Sequence, residues 1–150
     1  MQDYEFTVVI EKDEDGRFLA ICPALQGCYT EGETEEEART NAVDCVITAI
    51  EGYMKDDRPV PRPPAPGVGR DRAVLPSLVT AKLAVYETMR NRGWSKTRLA
   101  KELGVPENSV RRLLDLRHSS QMGIVDAALA KMNAELPIGL PNIRTRGRAA

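Results

Sequence analysis

A chain of 150 residues, 42% hydrophobic and 29% charged, fits one globular domain or two small ones and excludes a disordered or fibrous protein. No apolar run approaches the ~18 residues of a membrane helix, and the acidic, alternating start MQDYEF is not a signal peptide, so a cytoplasmic protein without a membrane partner is expected. The formal charge of −1 conceals a split: residues 1–69 hold 6 Lys+Arg against 15 Asp+Glu, net −9, while residues 70–150 hold 15 against 7, net +8.

Residues 4–10, YEFTVVI, alternate and are rich in β-formers, which predicts a strand. Asp15-Gly16 is a hairpin turn signal, and residues 17–22, RFLAIC, read as the return strand, ended by Pro23 because proline cannot donate to a ladder. Residues 28–32 read as a third, short strand. Thr34 followed by Glu37 is a capping box, with Glu35 and Glu36 favourable in the first turn. It opens a helix that carries Ala38, Ala42, Val43, Val46, Ile47 and Ile50 at helical spacing and runs to about Met54.

Residues 58–69, RPVPRPPAPGVG, hold five prolines and two glycines and form a stiff, extended connector, taken here as 58–72. Residues 73–79, AVLPSLV, are apolar enough for a fourth strand, which Pro76 makes an edge strand or a bulge. An amphipathic helix over 80–92 follows, through Leu83, Val85, Tyr86 and Met89, stopped by Gly93. A last helix covers 121–132. Residues 137–150, with Arg144, Arg146 and Arg148, read as a disordered basic tail. The expected fold is α+β: a small β-β-β-α-β module followed by an all-α domain.

The run from Trp94 to Arg117, WSKTRLAKELGVPENSVRRLLDLR, predicts a helix-turn-helix. Ser95 caps a first helix, and Leu99, Ala100 and Leu103 share its inner face. Gly104 sits where that helix must stop and turn. Pro106 restarts a helix with φ already set, although it offers no side-chain cap. Val110, Leu113 and Leu114 form the inner face of the second helix, which leaves Glu107, Asn108, Ser109, Arg111 and Arg112 outward. A helix that reads a DNA groove needs fork donors for guanine, an amide for adenine and cations for phosphate. On this reading Glu107, Asn108 and Arg112 face base edges. Ser95, Lys96, Thr97, Arg98, Ser109, Arg111 and Arg117 serve the phosphates. The basic half suits a phosphate backbone. The acidic half would be repelled by one and suits a basic protein partner.

Neither a metal centre nor a catalytic site is expected, and no cofactor. The cysteines Cys22, Cys28 and Cys45 are odd in number and fit a reducing compartment. They lack the paired spacing of a zinc site, and the only histidine, His118, is distant in sequence. Two-metal hydrolysis needs carboxylates converging from several elements, whereas Asp3, Glu5 and Glu11 lie on one strand and Asp13, Glu14 and Asp15 crowd a turn.

Several stretches together resemble the HicB family of bacterial antitoxins. They are Gly16-Arg17-Phe18, Pro23-Ala24-Leu25-Gln26-Gly27-Cys28, the run Thr30-Glu31-Gly32-Glu33-Thr34-Glu35-Glu36-Glu37-Ala38, and Arg58-Pro59-Val60-Pro61. Ala81-Lys82-Leu83 also looks like the family. The resemblance reaches from about Tyr4 to Met132. The chain departs from it at Ala24, where the family often carries an acidic residue. The resemblance implies that residues 1–79 form a degenerate RNase H-like module that binds and blocks a small, basic, mRNA-cleaving toxin of the HicA family. Tyr29, Glu31 and Glu33 are the candidate toxin contacts. It further implies that residues 80–136 bind operator DNA as a repressor, and that the protein is a homodimer or higher oligomer. A regulator that senses a small ligand without a toxin partner is the alternative.

Overall fold

The computed structural model describes residues 4–62 and 71–134; the tail read over 137–150 and much of the connector lie outside the described residues. Four strands form one antiparallel sheet: β1 Glu5–Lys12, β2 Phe18–Ile21, β3 Tyr29–Gly32 and β4 Asp71–Val74. Their order is β3-β2-β1-β4. The β1–β2 hairpin pairs Lys12 with Phe18. Its loop closes where Asp13 donates its N–H to the Arg17 carbonyl at 2.8 Å and accepts the Arg17 N–H on its side chain. Gly16 provides the positive φ in that loop.

Helix α1 (Glu35–Lys55) begins at the capping box: Thr34 Oγ1 accepts the Glu37 N–H at 3.0 Å, and Glu37 Oε2 reaches back to the Glu33 N–H at 3.3 Å. The helix lays Ala38, Ala42, Val46, Ile47 and Ile50 on one face of the sheet, against Phe6, Val8 and Ala20. Approach is close at Gly32, where an added Cβ would stand 2.5 Å from the Ala38 nitrogen. Only glycine lets β3 pass the first turn of α1 at this distance.

The last strand differs from its expectation. β4 covers Asp71–Val74 rather than 73–79, and helix α2 starts at Ser77 rather than 80. The reason lies at Pro76. Leu75 makes the last main-chain bond to the β1 side, at 3.4 Å to the Tyr4 carbonyl. Pro76 then cannot donate to a ladder, and its φ of −54° leads into the helix, whose Thr80 N–H bonds the Pro76 carbonyl at 3.0 Å. The apolar pair Leu78 and Val79 packs as helix, not strand.

α2 (Ser77–Arg92) is the central element. Val79, Leu83 and Tyr86 enter the core beneath the sheet and α1. Ala81, Ala84, Val85 and Met89 enter a second core, formed with α3 (Lys96–Leu103), α4 (Glu107–Leu114) and α5 (Met122–Lys131). The boundary expected at residue 79 therefore falls inside a helix that serves both cores. The start of the proline-rich segment is docked on α2 as well: Val60 is buried, its N–H donates to Glu87 Oε1 at 3.0 Å, and Tyr86 Oη donates to the Arg58 carbonyl at 2.7 Å. No helix among the described residues is long and apolar enough to cross a membrane.

Candidate functional site

Two surfaces hold the residues singled out from the sequence. The first is made by α3 and α4. Ser95 Oγ accepts the Arg98 N–H at 3.0 Å and starts α3. Gly104, at φ +67°, ends it, and Pro106 caps α4 by main chain alone. Burial of Leu99, Ala100, Val110 and Leu113 fixes the two helices against each other. Asn108, Arg111 and Arg112 are thereby exposed along α4, with Ser95, Lys96, Thr97 and Arg98 exposed at the start of α3. Ser109 is half-buried.

Glu107 is also half-buried and bridges the helices, accepting from Thr97 Oγ1 at 3.3 Å and pairing with Arg111 at 3.3 Å. The Arg98 guanidinium lies over the Trp94 ring, 4.1 Å from its centroid. Lys96 and Arg111 line a cleft that also takes in Lys55, Tyr86 and Leu114. Arg117 lies elsewhere. Its guanidinium pairs with Asp44 and Glu51 and donates to Thr48 Oγ1, all on α1. Those two carboxylates hold its pKa above the ordinary arginine value. It ties the segment after α4 to the sheet module.

Sequence reasoning missed the residue that fixes α4. Lys82 on α2 has no solvent exposure at all. Its ammonium donates to the carbonyls of Arg112 at 3.1 Å, Asp115 at 2.7 Å and His118 at 2.6 Å. A cation at the C-terminal end of a helix adds a donor to its last carbonyls and complements its dipole. Burial pulls the Lys82 pKa down, and the Asp115 carboxylate opposes that shift. In the sequence it stands out only as a lysine within the otherwise apolar stretch Ala81 to Val85, inside the Ala81-Lys82-Leu83 run that resembles the family.

The second surface is the face of the sheet that α1 does not cover. Register lines up Val9, Ile21 and Tyr29 in one cross-strand row and Glu11, Leu19 and Glu31 in the next. Tyr29 is 68% exposed on edge strand β3. Glu31 pairs with Arg17 at 3.3 Å across the neighbouring strand. Glu33 is exposed just beyond β3, where its main-chain N–H meets Glu37. Tyr29, Glu31 and Glu33 thus lie along one sheet edge. Among the described residues no three His, Cys, Asp or Glu side chains are grouped to share a metal ion.

A family model described as the HicB-like antitoxin of bacterial toxin–antitoxin systems matches residues 4–84. Antitoxin HicB of Pseudomonas fluorescens is 31% identical over 134 residues, covering 89% of this chain and 91% of that protein. Antitoxin HicB 1 of Photorhabdus laumondii is 29% identical over 140 residues, covering 93% and 89%. Antitoxin HicB of Escherichia coli K12 is 25% identical over 134 residues, covering 89% and 96%.

Proposed function

From the premise that the chain belongs to the HicB-like antitoxin family, we propose that it neutralises a HicA-type mRNA-cleaving toxin with its sheet module and represses its own operon with α3 and α4. The observation that carries this reading is the segregation of surfaces. An acidic segment of net −9 builds three of the four strands and α1, and the Asn108, Arg111 and Arg112 ridge stands on a separate helix. A basic, RNA-cutting partner is attracted by the first and repelled by the second. The sheet module, an RNase H-like fold without its nuclease carboxylates, offers Tyr29, Glu31 and Glu33 as the contact edge.

α3 and α4 act as a helix-turn-helix, with α4 in the major groove. Asn108 reads adenine and Arg112 reads the guanine O6/N7 pair. Glu107, through its bridge to Thr97 and Arg111, sets the angle between the helices beside its own base contact. Lys96, Arg98 and Arg111 hold phosphates, with Ser95, Thr97 and Ser109 as neutral donors. Arg117 reaches a phosphate only by leaving Asp44 and Glu51. In a cytoplasmic homodimer or higher oligomer, two copies of α4 lie about 34 Å apart on a palindromic site.

The test is co-expression of the full chain with a HicA-type toxin. Rescue of growth, lost on combining Tyr29→Ala with Glu31→Arg in a variant that still melts normally, supports the reading. Growth arrest that the wild-type chain does not relieve overturns it.

A further inference from the structure

Three thiols converge behind β3, and neither surface above uses them. Cys22 and Cys28 are buried at the two ends of the β2–β3 loop, where the Cys22 N–H donates to the Cys28 carbonyl at 2.9 Å. Cys45, half-buried on α1, has its Sγ 3.4 Å from Cys28 Sγ and gives its S–H to the Tyr29 carbonyl at 3.3 Å. A disulfide needs an S–S separation of about 2.05 Å, so a small side-chain rotation joins this pair. All three cysteines are free in the reduced chain.

We propose that Cys28 and Cys45 form a reversible disulfide when the chain meets a low-molecular-weight disulfide such as oxidised glutathione, making the pair a thiol-modification site that fastens edge strand β3 to α1. Cys45, the more open thiol of the pair, attacks first. Its thiolate bonds one glutathione sulfur, the glutathione S–S bond breaks, and one glutathione leaves and takes up a proton. The Cys28 sulfur then attacks Cys45 Sγ and releases the second glutathione. In sum, two protein thiols are oxidised to a disulfide, and one glutathione disulfide is reduced to two thiols. The Cys28 proton passes to the departing glutathione thiolate.

The experiment treats the full-length reduced chain with excess oxidised glutathione at about pH 8, where thiolates form. Remaining thiols are then blocked with N-ethylmaleimide, and intact mass and linked peptides are read. The expected product has lost two hydrogens, carries one blocked thiol at Cys22 and yields a Cys28–Cys45 peptide that dithiothreitol cleaves. It should melt about 5–10 °C above the reduced chain, as expected for closing a loop of this size. Cys22→Ser should keep the bond, and Cys45→Ser should lose it. Three blocked thiols, a Cys45–glutathione adduct that never resolves, or a Cys22–Cys28 bond overturns the assignment. None of these readouts depends on the proposed toxin or operator.

Discussion

Replacing Gly32 with alanine sets a methyl group 2.5 Å from the Ala38 nitrogen, against main chain that cannot yield without moving α1. The variant should lose about 3 kcal/mol or more, read by chemical denaturation. Lys82→Met tests a different cause. Methionine fills most of the same volume but leaves three carbonyls at the end of α4 without their shared donor. The Arg112 and Asp115 carbonyls keep the Asp115 and His118 N–H groups as donors, while an unpaired buried polar group costs about 1–3 kcal/mol, so a loss of about 1–3 kcal/mol is expected. On the proposed DNA role of α4, its DNA affinity should also fall at a lower temperature where the variant stays folded. An unchanged melting curve would show that water replaces the ammonium. The sequence could not reveal this lysine, because its partners are carbonyls 30 to 36 residues away and carry no side-chain signature. Arg112 was legible, since inner-face residues Val110 and Leu113 define by subtraction what α4 exposes. On the proposed DNA role of α4, Arg112→Ala should cost about 1–3 kcal/mol on the operator, while Lys96→Ala should weaken all DNA alike and reduce the salt slope by about one unit. Equal losses for both variants on operator and random DNA would refute that division.

At the scale of elements, local chemistry decided what could be read. Asp15-Gly16 marked the first hairpin, and the Thr34 and Glu37 pair marked the start of α1, because both signals act within four residues. Thr34→Ala should destabilise the chain by about 1 kcal/mol, visible as a lower melting temperature. The β4 and α2 boundary was not legible in the same way. AVLPSLV satisfies a buried strand and a buried helix equally. What separates them is pairing of Asp71–Val74 with β1, whose partners Glu5 to Val8 lie more than sixty residues earlier. The same non-local pairing brings Arg72 to Glu5 at 2.9 Å and sets Asp71 beside Arg39 of α1 at 2.6 Å.

For the whole molecule, charge segregation was visible in composition, but the means of joining the halves was not. Arg117, read as a phosphate ligand, binds Asp44, Thr48 and Glu51. In the fold it acts as a strap between a loop of the helical half and α1. Exposed ion pairs contribute little singly, and this network gathers several. Arg117→Ala should cost about 1 kcal/mol, and the loss should shrink in high salt. If the proposed DNA role of Arg117 dominated, the variant would melt normally and lose DNA binding alone.

The shared position of α2 has a calorimetric consequence. Leu83 and Tyr86 close one core, while Ala84, Val85 and Met89 of the same helix close the other. Neither core can melt without stripping a wall from its neighbour. Heating should therefore give one endothermic peak whose van't Hoff and calorimetric enthalpies agree. Amide protons in β1 and in α4 should exchange with the same opening free energy, as one cooperative unit.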